Sequence, residues 1–228
     1  MKESQGNTIY LKDYTPSSFL IDETHLTFQL FEEYTLVKSR LLMRRNPLVE
    51  SATEKLVLDG RQLLVKEILL DGVSLDESAY IVEEDSLIID RVLEKFTLEC
   101  VTEIKPHKNT SLEGLYKSRK MFCTQCEAEG FRKITFYLDR PDVLSSFTTR
   151  IEADESLYPT LLSNGNCVDS GQIGNGRHWM EWMDPFKKPS YLFALVAGDL
   201  KAVDDSFKTC SGRKVQLRIF VEEKNLDK

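Results

Sequence analysis

The sequence has no long apolar run, no dense basic run and no leader-like opening. Nowhere do about 18 apolar residues follow one another, so no membrane-spanning helix is expected. The opening MKESQGNTIYLKDYTP is polar and lacks the apolar centre of a signal peptide. The 30 Lys and Arg residues are outnumbered by 37 Asp and Glu residues, which gives a net charge of -7 and disfavours nucleic acid as a partner. We therefore expect a cytoplasmic protein.

The cysteines are also too few and too widely spaced to form a framework of disulfide-linked loops. The chain has five cysteines, an odd number spread over 228 residues, so reduced thiols are expected. The hydrophobic content of 41% is enough for a packed core. This length fits one large domain or two small ones.

Alternation with a period of two residues is the main structural signal. Apolar and polar residues alternate in this way where one face of a strand is buried and the other is exposed. The pattern predicts strands over residues 26–30, 37–43, 95–104 and 215–221. In the third run, for example, Phe96, Leu98 and Cys100 share the predicted inner face.

Turn signals separate these runs. Glycine follows a polar residue at Asp59-Gly60, Asp71-Gly72, Asn164-Gly165 and Ser211-Gly212, which is typical of turns with positive φ. Helical spacing is scarce, and the better short candidates are residues 131–138 and the segment after Pro141. The pattern predicts a mostly antiparallel β fold, built as two packed sheets or one strongly bent sheet.

The segment CTQCEAEGFRKITFYLDRPD, Cys123 to Asp142, concentrates the candidate chemistry. Its first residues are compatible with half of a metal site, a redox pair or a charged pocket. Structural zinc needs four ligands, but no second CxxC or HxxxH accompanies Cys123 and Cys126. A redox CxxC should open a helix within a βαβ unit, and none is evident here. Packed, reduced thiols are favoured, and elemental analysis would test the metal alternative. The other candidate ligands are single residues: His107, His178, Cys167 and Cys210.

Other motifs have plainer interpretations. The glycines of SGQIGNGRHW precede a strand-like pattern and not a helix, which predicts a hairpin turn instead of a phosphate loop. His178 has no assignable catalytic partner and is interpreted as a packed or hydrogen-bonded strand residue. Glu127 and Glu129 form an acidic pair of a kind that usually lies on a solvated loop. Composition and periodicity thus predict a β-rich domain and leave its function open.

Several longer motifs, taken together, resemble a known family. The segment from Cys123 to Val143 is similar to the N-terminal domain of the bacterial aminopeptidase N family, which comprises zinc-dependent alanyl aminopeptidases of the gluzincin class. The resemblance extends over nearly the whole chain and follows one order. The other matching motifs are IYLKDYTPSSFLID, LEGLYKS, LLSNGN, NGRHW and DPFKKPSYLFALVAGDL.

The resemblance implies a saddle-like, antiparallel β-sandwich with few short helices, covering residues 1–228 and packed against a thermolysin-like catalytic domain. It further implies that Glu127 binds the free α-amino group of a peptide substrate and that Gln125 lines the pocket for the first side chain. A carboxylate at that position would restrict cleavage to the first peptide bond, since an internal peptide bond has no α-ammonium group beside it.

The catalytic motifs of that family are missing from this sequence. Neither the H-E-x-x-H motif nor the G-x-M-E-N motif is present, so zinc is expected outside this segment and the segment alone is expected to be inactive. We expect the chain to end at a domain boundary near Lys228. The alternative hypothesis is a free-standing β-sandwich binding module, and a stop codon directly after Lys228 would favour it. An apolar docking face is expected if a catalytic domain follows.

Overall fold

The computed structural model describes residues 10–49 and 55–226, and these residues form a mostly β structure with only single-turn helices. No helix among them is long and apolar enough to cross a membrane. The mostly antiparallel β fold predicted from alternation is confirmed. Its strands are β1 Phe19–Leu30, β2 Thr35–Arg45, β3 Leu56–Asp59, β4 Leu64–Leu70, β5 Val73–Ser74, β6 Tyr80–Val82, β7 Ser86–Ile89, β8 Lys95–Ile104, β9 Gly114–Ser118, β10 Met121–Gln125, β11 Ser145–Asp154, β12 Thr160–Ser163, β13 Asn166–Gly174, β14 Arg177–Lys188, β15 Leu195–Gly198, β16 Lys201–Lys208 and β17 Lys214–Val221.

The strands form four sheets. The largest has eight strands in the order β13-β14-β11-β1-β2-β8-β4-β5, and its neighbours are antiparallel except for the parallel pair β1 and β11. A four-stranded sheet has the order β12-β15-β10-β9. The three-stranded sheet is β3-β7-β6, and β16 and β17 form a separate two-stranded ribbon.

Burial follows the predicted alternation in the centre of the large sheet. In β8, Phe96, Leu98, Cys100, Thr102 and Ile104 are all buried while the residues between them are partly exposed. The predicted runs in β1 and β2 alternate in the same way. These inward faces form one core with residues of the four-stranded and three-stranded sheets, because each sheet can remove only one face from water by packing against another layer.

An aromatic cluster lies in the core beneath the segment that follows β10. The Phe131 ring centroid is 4.8 Å from that of Tyr137 and 5.3 Å from that of Phe193. Phe147 packs edge-on against Phe131 at 6.1 Å. This cluster anchors Phe131, in the middle of the segment that carries the candidate chemistry.

The two helical candidates are wrong beyond one short turn. Within residues 131–138, only Phe131–Lys133 forms a 3-10 helix. From Ile134 to Asp139 every side chain is buried, and Tyr137 forms a β-bridge with Asp59, so this stretch is enclosed instead of amphipathic. After Pro141 a turn leads directly into β11. The remaining single-turn helices are Leu11–Asp13, Glu77–Ala79, Pro106–Lys108, Ser190–Leu192 and Glu223–Asn225.

The turn signals are confirmed with one difference. The glycines at 72, 165 and 212 have positive φ, as predicted. Gly60 does not, and glycine is needed there for space: a Cβ would lie 2.2 Å from the Phe136 ring.

The last predicted strand exists, but its burial is not as predicted. Alternation over 215–221 predicted a half-buried strand, whereas Leu217 is 42% and Ile219 is 60% exposed in β17. The strand pairs only with β16 in the described part of the chain, and no layer covers this ribbon there.

Candidate functional site

The segment with the candidate chemistry is a tight turn at the end of β10. This strand lies between β15 and β9 in the four-stranded sheet, and Gln125 is its last residue. The chain then turns through Cys126–Gly130, where the Gly130 N–H donates to the Cys126 carbonyl at 2.8 Å. The peptide bond between Glu127 and Ala128 is cis. We call residues 126–130 the acidic turn.

Two buried side chains hold the acidic turn at its ends. Cys126 is 2% exposed and Phe131 is fully buried in the aromatic cluster, while the residues between them, Glu127 to Glu129, are exposed. Residues Cys126 to Phe131 therefore form a short exposed loop that is attached to the core at both ends. This attachment limits where the carboxylates of Glu127 and Glu129 can lie.

Close backbone packing restricts the acidic turn further. A Cβ on Gly130 would lie 2.5 Å from the Gln125 carbonyl oxygen and 2.9 Å from the Gly114 nitrogen. Real Cβ atoms do not approach that closely, so only glycine lets the turn pack against the end of β10 and the start of β9.

The structure brings the predicted residues Gln125 and Glu127 together. The Gln125 side-chain amide donates to the Glu127 backbone carbonyl at 3.3 Å, and both residues are exposed. Within residues 10–49 and 55–226, no ion pair or side-chain hydrogen bond involves the Glu127 carboxylate. The carboxylate is thus presented outward by a constrained turn.

Glu129 differs from Glu127 in having a cationic partner. Its carboxylate is 3.5 Å from Nη1 of Arg132, three residues along the chain. The same guanidinium donates through Nε to Asp139 Oδ2 at 3.1 Å and through Nη2 to the Asp139 carbonyl at 3.1 Å. Among the described residues, one of the two carboxylates on the acidic turn therefore has a cationic partner and the other has none.

Sequence analysis missed this ionic cluster, in which Asp59 is the fourth member. Asp59 Oδ1 is 3.6 Å from Arg132 Nη1, and Asp59 Oδ2 accepts from the Asp139 backbone N–H at 3.0 Å. Burial raises the pKa of the Asp59 carboxyl, and the Arg132 charge only partly opposes this rise. Because Asp59 and Asp139 lie 80 positions apart, no local spacing could have linked them. The only local signal was Asp139, an acidic residue at the end of an apolar run.

The two cysteines of the segment pack as thiols. Cys126 is buried and Cys123 is half-buried, and burial raises the pKa of both thiols, so neither is a ready nucleophile at neutral pH. Cys167 and Cys210 are exposed and free. Among the described residues no group of three or more His, Cys, Asp and Glu side chains could hold a metal ion, so the zinc that the resemblance implies does not fit this part of the chain.

The plainer interpretations of the remaining motifs agree with the structure. Asn175 and Gly176 both have positive φ in the tight turn between β13 and β14, as a hairpin requires. His178 is buried, and its Nε2 lies 2.8 Å from the Tyr158 carbonyl, which accepts the hydrogen bond. His107 lies 3.9 Å from Glu33 at a partly exposed position.

The chemistry available at the acidic turn is recognition of a cation. A free carboxylate in water holds an ammonium group only weakly, since exposed ion pairs contribute about 0–1 kcal/mol. The same pair becomes stronger when a second surface excludes water and lowers the local dielectric constant. The turn is thus suited to form one wall of a cation site whose other wall lies elsewhere.

Comparison with known proteins supports the family suggested by the motifs. A family model for the Peptidase M1 N-terminal domain matches residues 22–192. Aminopeptidase N of Escherichia coli is 48% identical over 226 residues, which covers 98% of this chain and 25% of the relative. Aminopeptidase N of Caulobacter vibrioides is 49% identical over 222 residues, covering 97% of this chain and 25% of the relative. The chain thus spans about a quarter of the length of these curated relatives.

Solved structures show the same architecture. Aminopeptidase A of Legionella pneumophila, solved in complex with aspartic acid, matches with a TM-score of 0.92 and 33% identity, covering 95% of this chain and 26% of that one. An M1 zinc metallopeptidase of Deinococcus radiodurans matches with a TM-score of 0.73 at 15% identity, covering 88% of this chain and 47% of that one. The second likeness concerns the fold alone.

Proposed function

We propose, from the premise that this chain belongs to the Peptidase M1 N-terminal domain family, that it anchors the amino terminus of peptide substrates for a zinc-dependent aminopeptidase. Glu127 accepts hydrogen bonds from the substrate ammonium, and Gln125 lines the pocket for the first side chain. The observation that carries the proposal is the free, outward-facing Glu127 carboxylate on a turn fixed by Cys126 and Phe131.

The geometry supports an exopeptidase role for physical reasons. An ammonium group has three donors, and a carboxylate held in place by the fold loses little freedom when it accepts them. Fixing the ammonium sets the distance from the end of the peptide to the first peptide bond. An internal peptide bond has no ammonium beside it and would not be held in the same place.

In this proposal the catalytic residues lie outside the 228-residue chain. The relatives are about four times longer than this chain, and a structural relative is described as a zinc metallopeptidase. Zinc would be bound by residues outside this segment, where it would polarise the scissile carbonyl and activate water. The chain's own residues bind and orient the substrate, and we expect the isolated 228-residue chain to be inactive.

The ribbon offers a surface for that catalytic part. Val203, Phe207, Leu217 and Ile219 lie on one face of β16–β17 and are 41%, 57%, 42% and 60% exposed. A two-stranded ribbon alone is marginally stable in water, so this face is expected to pack on further protein. The ribbon also lies beyond residues 22–192 that match the family model. We infer that the catalytic part of the same polypeptide covers it.

The test of the anchor compares two exposed carboxylates in the complete polypeptide. We expect Glu127→Gln to lower kcat/KM on peptides with free amino termini by about 10–150-fold, because a hydrogen bond to a charged group contributes about 1.5–3 kcal/mol and each 1.4 kcal/mol is tenfold. The matched control is Glu84→Gln, an exposed carboxylate on the turn between β6 and β7, which should leave kcat/KM unchanged. An undiminished rate for Glu127→Gln would contradict the anchor role.

A further inference from the structure

A cleft of about 290 Å³ lies between the single-turn helix Pro106–Lys108 and residues 62 and 133. Three lysines line this cleft, Lys105, Lys108 and Lys133, and no carboxylate of the described residues does. The volume is close to the lower end of the range for small-molecule sites, about 300–1,000 Å³. Because the whole chain has a net charge of -7, a cleft lined by lysines and by no acidic residue is a local reversal of charge.

Lys105 and Lys108 lack the counter-charge that other surface lysines have. Within residues 10–49 and 55–226, neither has an ion pair or a side-chain hydrogen bond. The acidic residue nearest to Lys105 in the chain is Glu103, and its carboxylate lies 2.9 Å from Nζ of Lys66 on β4. The ammonium groups of Lys105 and Lys108 are therefore available to an anionic ligand.

The third lysine is nearly buried and has one N–H donor to spare. The Lys133 side chain is 9% exposed, and its Nζ lies 2.6 Å from the Glu113 carboxylate and 2.9 Å from Ser111 Oγ. An ammonium group has three donors, and the described residues provide two acceptors. Since Glu113 compensates the charge of Lys133, the net positive charge at the cleft comes from the other two lysines.

Gln62 adds an amide donor and has a strained backbone conformation. Its φ is 59°, in the left-handed region that residues other than glycine rarely adopt. The preceding residue is held in place, because the Arg61 N–H donates to the Arg132 carbonyl at 2.9 Å. Among the described residues no hydrogen bond involves the Gln62 side chain. Strain of this kind is concentrated at ligand sites, where it places a group in advance of binding.

The wall opposite Gln62 is also fixed before any ligand arrives. The Asn109 Nδ2 donates to the Glu113 carbonyl at 2.7 Å and to the Leu115 carbonyl at 3.0 Å. Ile104 and Leu115, which are 5% and 2% exposed, form the apolar part of the lining. A ligand therefore meets preorganised donors and no carboxylate, and this arrangement favours an anion over a cation.

We propose that this cleft is a binding site for a small polyvalent anion that carries phosphate or carboxylate groups. Lys105 and Lys108 supply the positive charge, and Lys133 and Gln62 supply the further donors that set the position of the anion. The site uses no residue of the acidic turn and needs no zinc. It is therefore independent of the amino-terminus site proposed above.

Acetylation of individual lysines in the complete polypeptide tests this proposal. The probes are inorganic pyrophosphate and tricarballylate, which carry phosphate and carboxylate groups respectively, and mass spectrometry measures the rate at each lysine at a low extent of reaction. A bound anion favours the charged ammonium form, which does not attack the reagent. At saturation we expect Lys105 and Lys108 to react about fivefold more slowly.

The matched control is Lys38, which is exposed on β2 and has no ion pair in the described part of the chain. Its rate should change by less than about twofold. Slowing of Lys105 and Lys108 by only one of the two probes would identify the phosphate or the carboxylate as the group that binds. No slowing by either probe, or equal slowing at Lys38, would overturn the proposal.

Calorimetric titration with the more effective probe measures what each lysine contributes. Lys105→Gln and Lys108→Gln should each raise Kd about three- to tenfold, because each removes a charge-assisted hydrogen bond at a partly solvated position. Lys38→Gln removes the same charge elsewhere and should leave Kd within about twofold of the wild type. Equal effects of the three substitutions would mean that only the net charge of the chain matters, which would overturn the assignment.

Gln62→Gly separates a ligand site from a merely structural role. Glycine adopts a positive φ without strain, so this variant should raise Kd about two- to threefold without lowering Tm. An unchanged Kd would overturn the part assigned to Gln62. Binding of the probe by the 228-residue chain with none by the complete polypeptide would show that protein covers the cleft, and this result would overturn the whole proposal.

Discussion

Replacing Asp139 by alanine should destabilise the chain far more than replacing the nearby Asp142. The Asp139 side chain is 1% exposed and accepts hydrogen bonds from Ser190 Oγ at 2.6 Å and from the Arg132 N–H and Nε at 3.1 Å each. The Asp139→Ala variant would leave these donors without their acceptor in a place that water does not reach.

The expected loss of stability in Asp139→Ala depends on the partners that Arg132 keeps. Removing one member of a buried pair costs about 3–5 kcal/mol, because the other charge is left buried and uncompensated. Arg132 would keep Asp59 and Glu129 nearby, so the lower end, about 3 kcal/mol, applies. For a chain of this size, each kcal/mol of lost stability lowers Tm by about 2–4 °C, so we expect Tm to fall by about 6–12 °C.

Urea and thermal unfolding of the 228-residue chain would measure both values. The control is Asp142→Ala, whose side chain is 26% exposed and pairs with Arg140; its loss should cost about 1 kcal/mol or less. Equal losses for the two variants, or a loss below about 1 kcal/mol for Asp139→Ala, would mean that the buried ionic cluster does not stabilise this region.

Two further predictions concern pH and the ribbon. The hydrogen bond from Lys117 holds the pKa of Glu32 below its ordinary value of 4.5, so the stability from this pair is fully present above that pH and is lost as the pH falls through the lower folded-state pKa. Urea unfolding at a series of acid pH values should therefore show that the free energy of unfolding falls less with acid in Glu32→Gln than in the wild type. The same pH dependence of the free energy of unfolding in both proteins would contradict this. Ile219→Ser should lower the Tm of the complete polypeptide while changing the stability of the 228-residue chain by less than about 0.5 kcal/mol, because this side chain is 60% exposed here. No change in the complete polypeptide would mean that nothing covers this face.

Alternation predicted the centre of the large sheet well because each strand there buries one face only. The inward positions of β8, from Phe96 to Ile104, are the alternate residues of the sequence pattern. Alternation failed to predict burial at β17. The pattern indicates that Leu217 and Ile219 share a face, but it does not indicate whether another layer covers that face. It also could not describe Ile134 to Asp139, where burial on all sides removes any period.

Less of the candidate site than of the fold could be predicted from the residues alone. Gln125 and Glu127 were assigned through family resemblance, because an acidic pair on a loop has no distinctive spacing of its own. The ionic cluster that distinguishes Glu129 from Glu127 depends on Asp59, which the fold brings to Asp139 by pairing β3 with the segment around Tyr137. Such contacts between distant positions follow from the topology and leave no local signal.

A crystal structure of the complete polypeptide with leucine hydroxamate would show where the ammonium group of a ligand is held. We expect the ligand nitrogen about 2.7–2.9 Å from a carboxylate oxygen of Glu127, with Glu129 still paired to Arg132. A ligand ammonium bound to other groups, with the Glu127 carboxylate left in solvent, would show that Glu127 is not the anchor.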